Sequence, residues 1–487
     1  MAQKTHERSK GIHFYITTTL PYVNAPIHLG HATEIIRADA VARYKKLLGY
    51  DVFFNTGTDE HGMKIYESAV KAGSTLEKYT DYYASLYQKT LQKLGVSEDA
   101  HYIRTTAPRH MQAAQEFWRQ CDRAGYIYKK NYQAKYCIGC EEEKTDSELV
   151  DGKCPEHDRV PELINEENYF FKLSAFGSKL LALYERQPKI IIPISRMNEM
   201  QAFIRSGLRD FSISRFKVKT PWGIPVPDDP DQVIYVWFEA LVSYLSTLGW
   251  PDHLENFDNY WVHGTPTQYC GKDNTRFQGV MWQAMLMAAG IPATHTIIVD
   301  GFILAERGVK MSKGLKNVID PLELQKEYGT DALRYFVIRE FSPFEDTAVS
   351  KASLKMTYNA NLANGLGNLA SRVMKMASAH LRSPVKIPDN TIPEDFKDAC
   401  ESFNLQKASD IVWKHIGALD RRIQETEPFK LIKTDKKKTS IIIEELVLGL
   451  YTVARMLDPI LPETSLAIKT AVKENKMFDK PLFPRKD

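Results

Sequence analysis

Cysteine is scarce in this 487-residue chain, with six in all. That is too few for a disulfide scaffold, so a reducing, cytoplasmic compartment is expected. No apolar stretch is long enough to span a bilayer, and the opening residues MAQKTHERSKG lack the apolar segment of a secretory signal. No membrane partner is therefore expected. Charge of one sign is also lacking: 64 basic and 61 acidic side chains leave a net +3. This excludes a surface coated throughout for nucleic acid but leaves room for one local basic face. Internal repeats and low-complexity tracts are missing as well. What remains is 43% hydrophobic and 26% charged, a globular composition. The length predicts two to four domains.

Ile12 to Thr17, IHFYIT, reads as a strand rich in β-branched and aromatic residues. From His31 the period changes to that of a helix, with Ile36, Ala40, Tyr44, Leu47 and Leu48 on one face and Gly49 as its stop. Tyr50 to Asn55, YDVFFN, then suits a buried parallel strand. This is a βαβ unit, in which ligands sit beyond the carboxyl ends of the strands. A cysteine-bearing acidic stretch from Tyr136 to about Asn168 reads as an insertion. Strand and helix alternation resumes at DQVIYVWFEALVSYL (Asp231 to Leu245) and HTIIVDGFIL (His295 to Leu304). From about Leu354 helical patterns take over, as in Ser440 to Leu457, and predict a separate helix bundle. The charge run KTDKKK (Lys433 to Lys438) reads as a solvated turn.

Two histidines, His28 and His31, fall in the first strand-to-helix turn, TTLPYVNAPIHLGH, with Gly30 between them. A helix start offers free amide hydrogens and the positive dipole end, and glycine lets a ligand approach the backbone. Imidazoles there can donate to phosphate oxygens or pack on a purine; a lone histidine is usually structural, but the position at a helix start favours the functional reading. A second stretch, GVKMSKGLKNVIDP (Gly308 to Pro321), holds Lys310 and Lys313 in a glycine-flanked loop. Beside a nucleotide-type sheet such lysines suit a polyphosphate whose charge grows during transfer at the α-phosphate. Cys137-x2-Cys140 and Cys154-x2-His157 form two chelating hooks separated by thirteen residues. Three thiolates and one imidazole complete a tetrahedral zinc site with no open position, which makes it structural. His101, Asp146 and Asp151 lack the paired spacing. Cys121, Cys270 and Cys400 are expected to be buried small apolar residues.

Together, HLGH, KMSKG, GTDEHG (Gly57 to Gly62), YVWFEAL and GKDN (Gly271 to Asn274) occur in an order that resembles the class I aminoacyl-tRNA synthetases, and within them the methionyl family. HLGH resembles the HIGH motif and KMSKG the KMSKS loop. The resemblance implies an α/β fold: a Rossmann-like parallel-sheet catalytic domain with a zinc-bearing connective insertion, followed by an all-α anticodon-binding bundle. The implied segments are residues 1–121 and 231–325 for the catalytic halves, 122–230 for the insertion, 326–353 for a stem-contact segment and 354–487 for the bundle. It implies ATP-dependent activation of L-methionine to an adenylate, release of pyrophosphate, and transfer to the terminal adenosine of tRNA(Met). His28, Gly30, His31, Lys272, Asp273, Lys310 and Lys313 would bind ATP, with Mg2+ on the leaving oxygens. His28, His31, Lys310 and Lys313 would act in catalysis. Leu20, Tyr22, Asp59, Trp237, Tyr244 and Gln278 would hold methionine, Asp59 taking its ammonium. Asn368, Arg372 and Phe429 would read the CAU anticodon, and Cys137, Cys140, Cys154 and His157 would bind one Zn2+. The expected assembly is a monomer.

The chain departs from the family pattern at Gln278, where a histidine is usual, at Glu239, Leu241, Asn274 and Gly314, and at Phe429 and Asp420 in the tail. Asp420 is expected to repel phosphate. These departures leave open an adenylating relative that charges no tRNA. A non-catalytic zinc-dependent RNA-binding module is a third reading, but it leaves the lysine loop unexplained.

Overall fold

The computed structural model describes residues 12–140, 142–155, 158–309, 319–388 and 392–487. The chain divides into two compact units. The first comprises residues 1–27, 50–90 and 99–299, and the second residues 28–49, 91–98 and 300–487.

The first strand, β1 (His13–Thr18), is followed in the chain by helix α1 (Leu29–Leu47) and strand β2 (Asp51–Thr58). Both strands are buried on both faces, as expected for the centre of a parallel sheet. β2 runs three residues past the Asn55 end expected from its apolar pattern. The extension, Thr56-Gly57-Thr58, is polar yet buried, because its side chains are satisfied internally. Thr56 Oγ1 lies 2.8 Å from Thr18 Oγ1, and Thr58 Oγ1 donates to Glu60 Oε1 at 2.6 Å. Gly57 is required by close approach, since a Cβ there would lie 1.9 Å from the carbonyl oxygen of Ile103.

Strands β3 (His101–Arg104), β4 (Ile127–Cys137), β5 (Glu142–Lys144), β6 (Glu162–Phe171), β7 (Ile191–Ile192), β8 (Thr265–Gly271) and β9 (Thr296–Asp300) follow. The main sheet has the order β3-β2-β1-β8-β9-β7, and β1 runs parallel to both β2 and β8. The order reverses between β1 and β8, the position at which such sheets open a ligand crevice. Between β3 and β7 the chain forms a separate antiparallel sheet, β5-β4-β6 with Phe211–Ser212 on its edge. The cysteine-bearing stretch lies on this sheet.

The second unit is mainly helical. Its longest elements after α1 are α2 (Asn368–His380), α3 (Leu405–Thr426), α4 (Lys436–Leu457) and α5 (Pro462–Glu474). The expected mixed α/β fold with a parallel sheet and a helical carboxy-terminal region is what the chain adopts. The charge run at Lys433 to Lys438 is a turn that becomes a helix start. Asp435 accepts from the Lys438 amide and caps α4. Among the described residues no helix is long and apolar enough to cross a membrane.

α1 departs from the one-faced helix its periodicity predicts. Glu34, Arg37, Asp39 and Lys45 are buried along with its apolar residues. The charges of Arg37, Asp39 and Lys45 are matched within the unit. Arg37 pairs with Asp300 at 3.0 Å and donates to the carbonyls of Val337 and Phe341. Asp39 takes Arg334 and Arg43, each at 2.8 Å, and the Ser97 amide and hydroxyl. Gly49 ends the helix as expected, with φ +89°.

Candidate active site

His28 is the N-cap of α1. Its Nδ1 accepts from the His31 amide at 3.3 Å, and the two imidazoles stack with centroids 3.7 Å apart. That acceptor role places the hydrogen of a neutral His28 ring on Nε2. Gly30 makes this fold-back possible: a Cβ there would lie 2.9 Å from His28 Cε1. The glycine therefore makes room first for an imidazole. Lys310 and Lys313 lie outside the described residues, as does His157.

In the first unit, the ends of β1 and β2 are tied together. Asp59 and Tyr22 form a parallel bridge, with the Asp59 amide on the Pro21 carbonyl at 3.0 Å and the Val23 amide on the Asp59 carbonyl at 3.2 Å. The segment Asp59-Glu60-His61 is divided by its bonding. Glu60 is consumed by a bidentate Arg104 and by the hydroxyls of Thr58 and Thr106. His61 Nδ1 lies 3.0 Å from Glu239 Oε1. Asp59 is buried at 4% exposure and bridges through its backbone to Tyr22. Tyr22 meets Trp237 edge-on at 6.4 Å, and Trp237 stacks on Phe277 at 4.1 Å. Gln278 is buried and donates to the Tyr244 hydroxyl at 2.7 Å. Leu20 is partly buried in the turn after β1. Lys272 and Asp273 form a single helical turn at the end of β8. A carboxylate beside an aromatic wall, at the carboxyl ends of parallel strands, suits an ammonium-bearing substrate with a soft apolar side chain.

The sequence reading missed what surrounds Glu239. This carboxylate is completely buried between His61 and His110, whose Nε2 lies 2.7 Å from Glu239 Oε2, while His110 Nδ1 reaches Ser246 Oγ. Burial pushes the Glu239 carboxyl up, but the His61 charge and hydrogen bonds from both imidazoles outweigh it and hold it below the usual range. Nothing in spacing signals this, because His110 stands on a different element, 129 residues away. The substitution of Glu for Asp at 239 is the one visible clue.

Cys137, Cys140 and Cys154 bring their sulfurs within 4.8 Å of one another, and Cys140 and Cys154 are 3.5 Å apart. Sulfurs about 2.3 Å from a common tetrahedral ion stand at roughly this separation, so the cluster fits a metal. Cys121, Cys270 and Cys400 are buried, as expected.

In the second unit, Asn368 is exposed and Arg372 is half-buried, both on α2. Phe429 is 49% exposed on the short helix Pro428–Leu431. Asp420, expected to repel phosphate, accepts from Arg372 at 3.0 Å.

Two stretches of the chain, residues 14–160 and 156–374, match the family model of tRNA synthetases class I (M). A methionine–tRNA ligase of Brucella melitensis is 38% identical over 96% of this chain and 93% of its own. One of Caldanaerobacter subterraneus is 38% identical over 93% of this chain and 72% of its own. The structure of Mycobacterium tuberculosis methionyl-tRNA synthetase in complex with methionyl-adenylate superposes with a TM-score of 0.89 at 34% identity, covering 97% of this chain and all of that one. A parallel-centred sheet whose strand order reverses between β1 and β8, and likeness along nearly the whole length, agree: the chain belongs to the class I tRNA synthetases of the methionine group.

Proposed function

We propose that the chain is an ATP-dependent methionine–tRNA ligase. The observation that carries this reading is its near-complete likeness to a synthetase holding methionyl-adenylate. The joined ends of β1 and β2, with Asp59 beside an aromatic wall, support it.

The first step is in-line substitution at phosphorus. A carboxylate oxygen of methionine attacks the α-phosphorus of ATP, supplied as its magnesium complex, and pyrophosphate leaves. Asp59 holds the ammonium group, and Tyr22, Trp237, Tyr244, Gln278 and Leu20 surround the side chain. His28 and His31 donate to phosphate oxygens at the start of α1. Gly30 lets His28 fold back beside His31. Lys272 and Asp273 contact the nucleotide, and Lys310 and Lys313 follow the departing pyrophosphate. Such groups accelerate transfer by positioning and by matching charge that develops in the transition state. In the second step a ribose hydroxyl of the terminal tRNA adenosine attacks the methionyl carbonyl, and AMP leaves. Asn368, Arg372 and Phe429 contact the anticodon, where an exposed phenylalanine can stack on an unpaired base.

Cys137, Cys140 and Cys154, with His157, would hold one zinc ion, whose contribution is to fold the knuckle. The protein works as a monomer in a reducing compartment, where its cysteines stay as thiols.

Charging of tRNA(Met) with labelled methionine, ATP and magnesium tests this reading. Acid-stable methionyl-tRNA is expected. Pyrophosphate exchange without charging contradicts the ligase assignment.

A further inference from the structure

Arg215, on the strand Ser214–Phe216 of the first unit, is a guanidinium only 6% exposed, with an incomplete set of hydrogen bonds. Its Nη1 donates to Ser212 Oγ at 2.8 Å and to the Ser214 carbonyl at 2.7 Å. The cation lies over the rings of Tyr136 and Tyr235, 4.8 and 4.6 Å from their centroids. Those rings offset part of the cost of burying the charge, but they take none of its remaining hydrogens. Nε is buried with no partner, and Nη2 makes no hydrogen bond among the described residues. Glu143 acts on Arg215 through its charge, yet no carboxylate pairs with the guanidinium among the described residues. A buried donor left unpaired costs about 1–3 kcal/mol, and more when it is charged.

Arg215 lines a cavity together with Gly62, Met63, Thr220 and the two tyrosines. Gly62 is the N-cap of the helix Met63–Lys71 and has no side chain with which to cap it. The start of that nine-residue helix therefore brings amide hydrogens and the positive end of its dipole to the cavity that Arg215 lines. Two donor groups from separate elements, both electropositive, thus border one space. None of these residues is among those proposed above to hold ATP or methionine.

We infer that this cavity is a binding site for a phosphate-type oxyanion, separate from the nucleotide and methionine sites. The Nε–Nη2 edge of a guanidinium offers two parallel donors that match two oxygens of such an anion, and a helix amide takes a third. A carboxylate has only two oxygens to offer. The cavity is small, about 280 Å³ counted out to its mouth, below the usual size of a cofactor site, so it suits a single anionic group. That group is free phosphate or the terminal phosphate of a small ester.

Calorimetric titration of the full chain with orthophosphate, at constant ionic strength in chloride, tests the site, with glycerol 3-phosphate titrated in parallel. One phosphate per chain is expected to bind at Arg215. Tighter binding of the ester identifies a terminal phosphate as the source, and tighter binding of orthophosphate identifies the free ion. Arg215→Lys keeps the charge but removes the two-pronged edge, and it should weaken binding at least about tenfold. Should that variant not fold, Thr220→Glu sets a carboxylate at the cavity wall and carries the same expectation through like-charge repulsion. Saturating methionine should leave the anion bound, and the His28→Ala, His31→Ala double variant should bind it with parental affinity. The inference is overturned when no phosphate binds, when the Arg215 and Thr220 variants bind it as the parent does, or when methionine displaces it. These outcomes are read without any turnover, so they stand apart from the charging assay that tests the ligase reading.

Discussion

Gly30 shows how a single position carries more than its motif reveals. The HLGH stretch was legible because two histidines, a glycine and a strand-to-helix turn coincide. The reason for the glycine was not, since it depends on where the His28 ring folds. Gly30→Ala places a methyl group 2.9 Å from His28 Cε1, so the ring must leave its stack and its cap. Losing that cap costs about 1 kcal/mol of stability. The exchange rate is expected to fall at least about tenfold, because misplacing a group proposed to meet phosphate costs the transition state far more than the fold. Rate and melting temperature measured on the same variant separate the two effects. Asp59, Trp237 and Tyr244 were legible only as motif positions. The Gln278–Tyr244 bond was not, because a glutamine carries no spacing signal and its partner comes from a different element.

At the scale of elements, α1 was legible in its position and in its Gly49 stop, but not in its surroundings. Its periodicity gave one apolar face, yet Arg37 and Asp39 are also fully buried, and paired. Long-range partners such as Asp300 and Arg334 reverse what local periodicity predicts. Burial pushes the Asp39 carboxyl up, but the Arg334 and Arg43 charges and the Ser97 bond outweigh it and leave the group below the usual aspartate range. A depressed folded value means that the unfolded chain binds the proton more readily. The stability it contributes is full above about pH 4 and is lost as pH falls through the folded value. Asp39→Asn leaves Arg334 buried without its carboxylate and is expected to cost about 3–5 kcal/mol at pH 7. Its stability should also decline less steeply with acid than the parent's, which urea titrations between pH 7 and 3 measure. In the knuckle, hook spacing made the three cysteines legible, and the fold brings them together. Elemental analysis should find about one zinc per chain, and Cys154→Ala should lower that affinity at least about tenfold.

For the whole molecule, the order of motifs along the chain carried the fold class, because strand–helix alternation followed by long apolar periods survives without tertiary knowledge. The boundaries of polar buried segments did not, since Thr56 to Thr58 carry no apolar pattern and extend the strand only because Thr18 and Glu60 satisfy their hydroxyls. On the anticodon contact proposed for the helical tail, one charge arrangement there bears on RNA binding. The Arg372–Asp420 pair is about one-third exposed on both sides, so separating it costs at most about 1 kcal/mol. Arg372 can therefore be handed to a nucleic acid at little expense. Asp420→Asn should leave stability within about 1 kcal/mol of the parent and lower the KM for tRNA, with the KM for methionine unmoved. Aminoacylation across a range of tRNA concentrations checks it.

In the proposed reaction this chain activates methionine on ATP with His28 and His31 at the phosphates. Methionine-dependent exchange of labelled pyrophosphate into ATP, run on the parent and on a His28→Ala, His31→Ala double variant, measures it most directly. The account predicts exchange by the parent and a loss of about a hundredfold or more in kcat for the variant. A parent that forms no labelled ATP with methionine, or a double variant that exchanges at the parental rate, would contradict it.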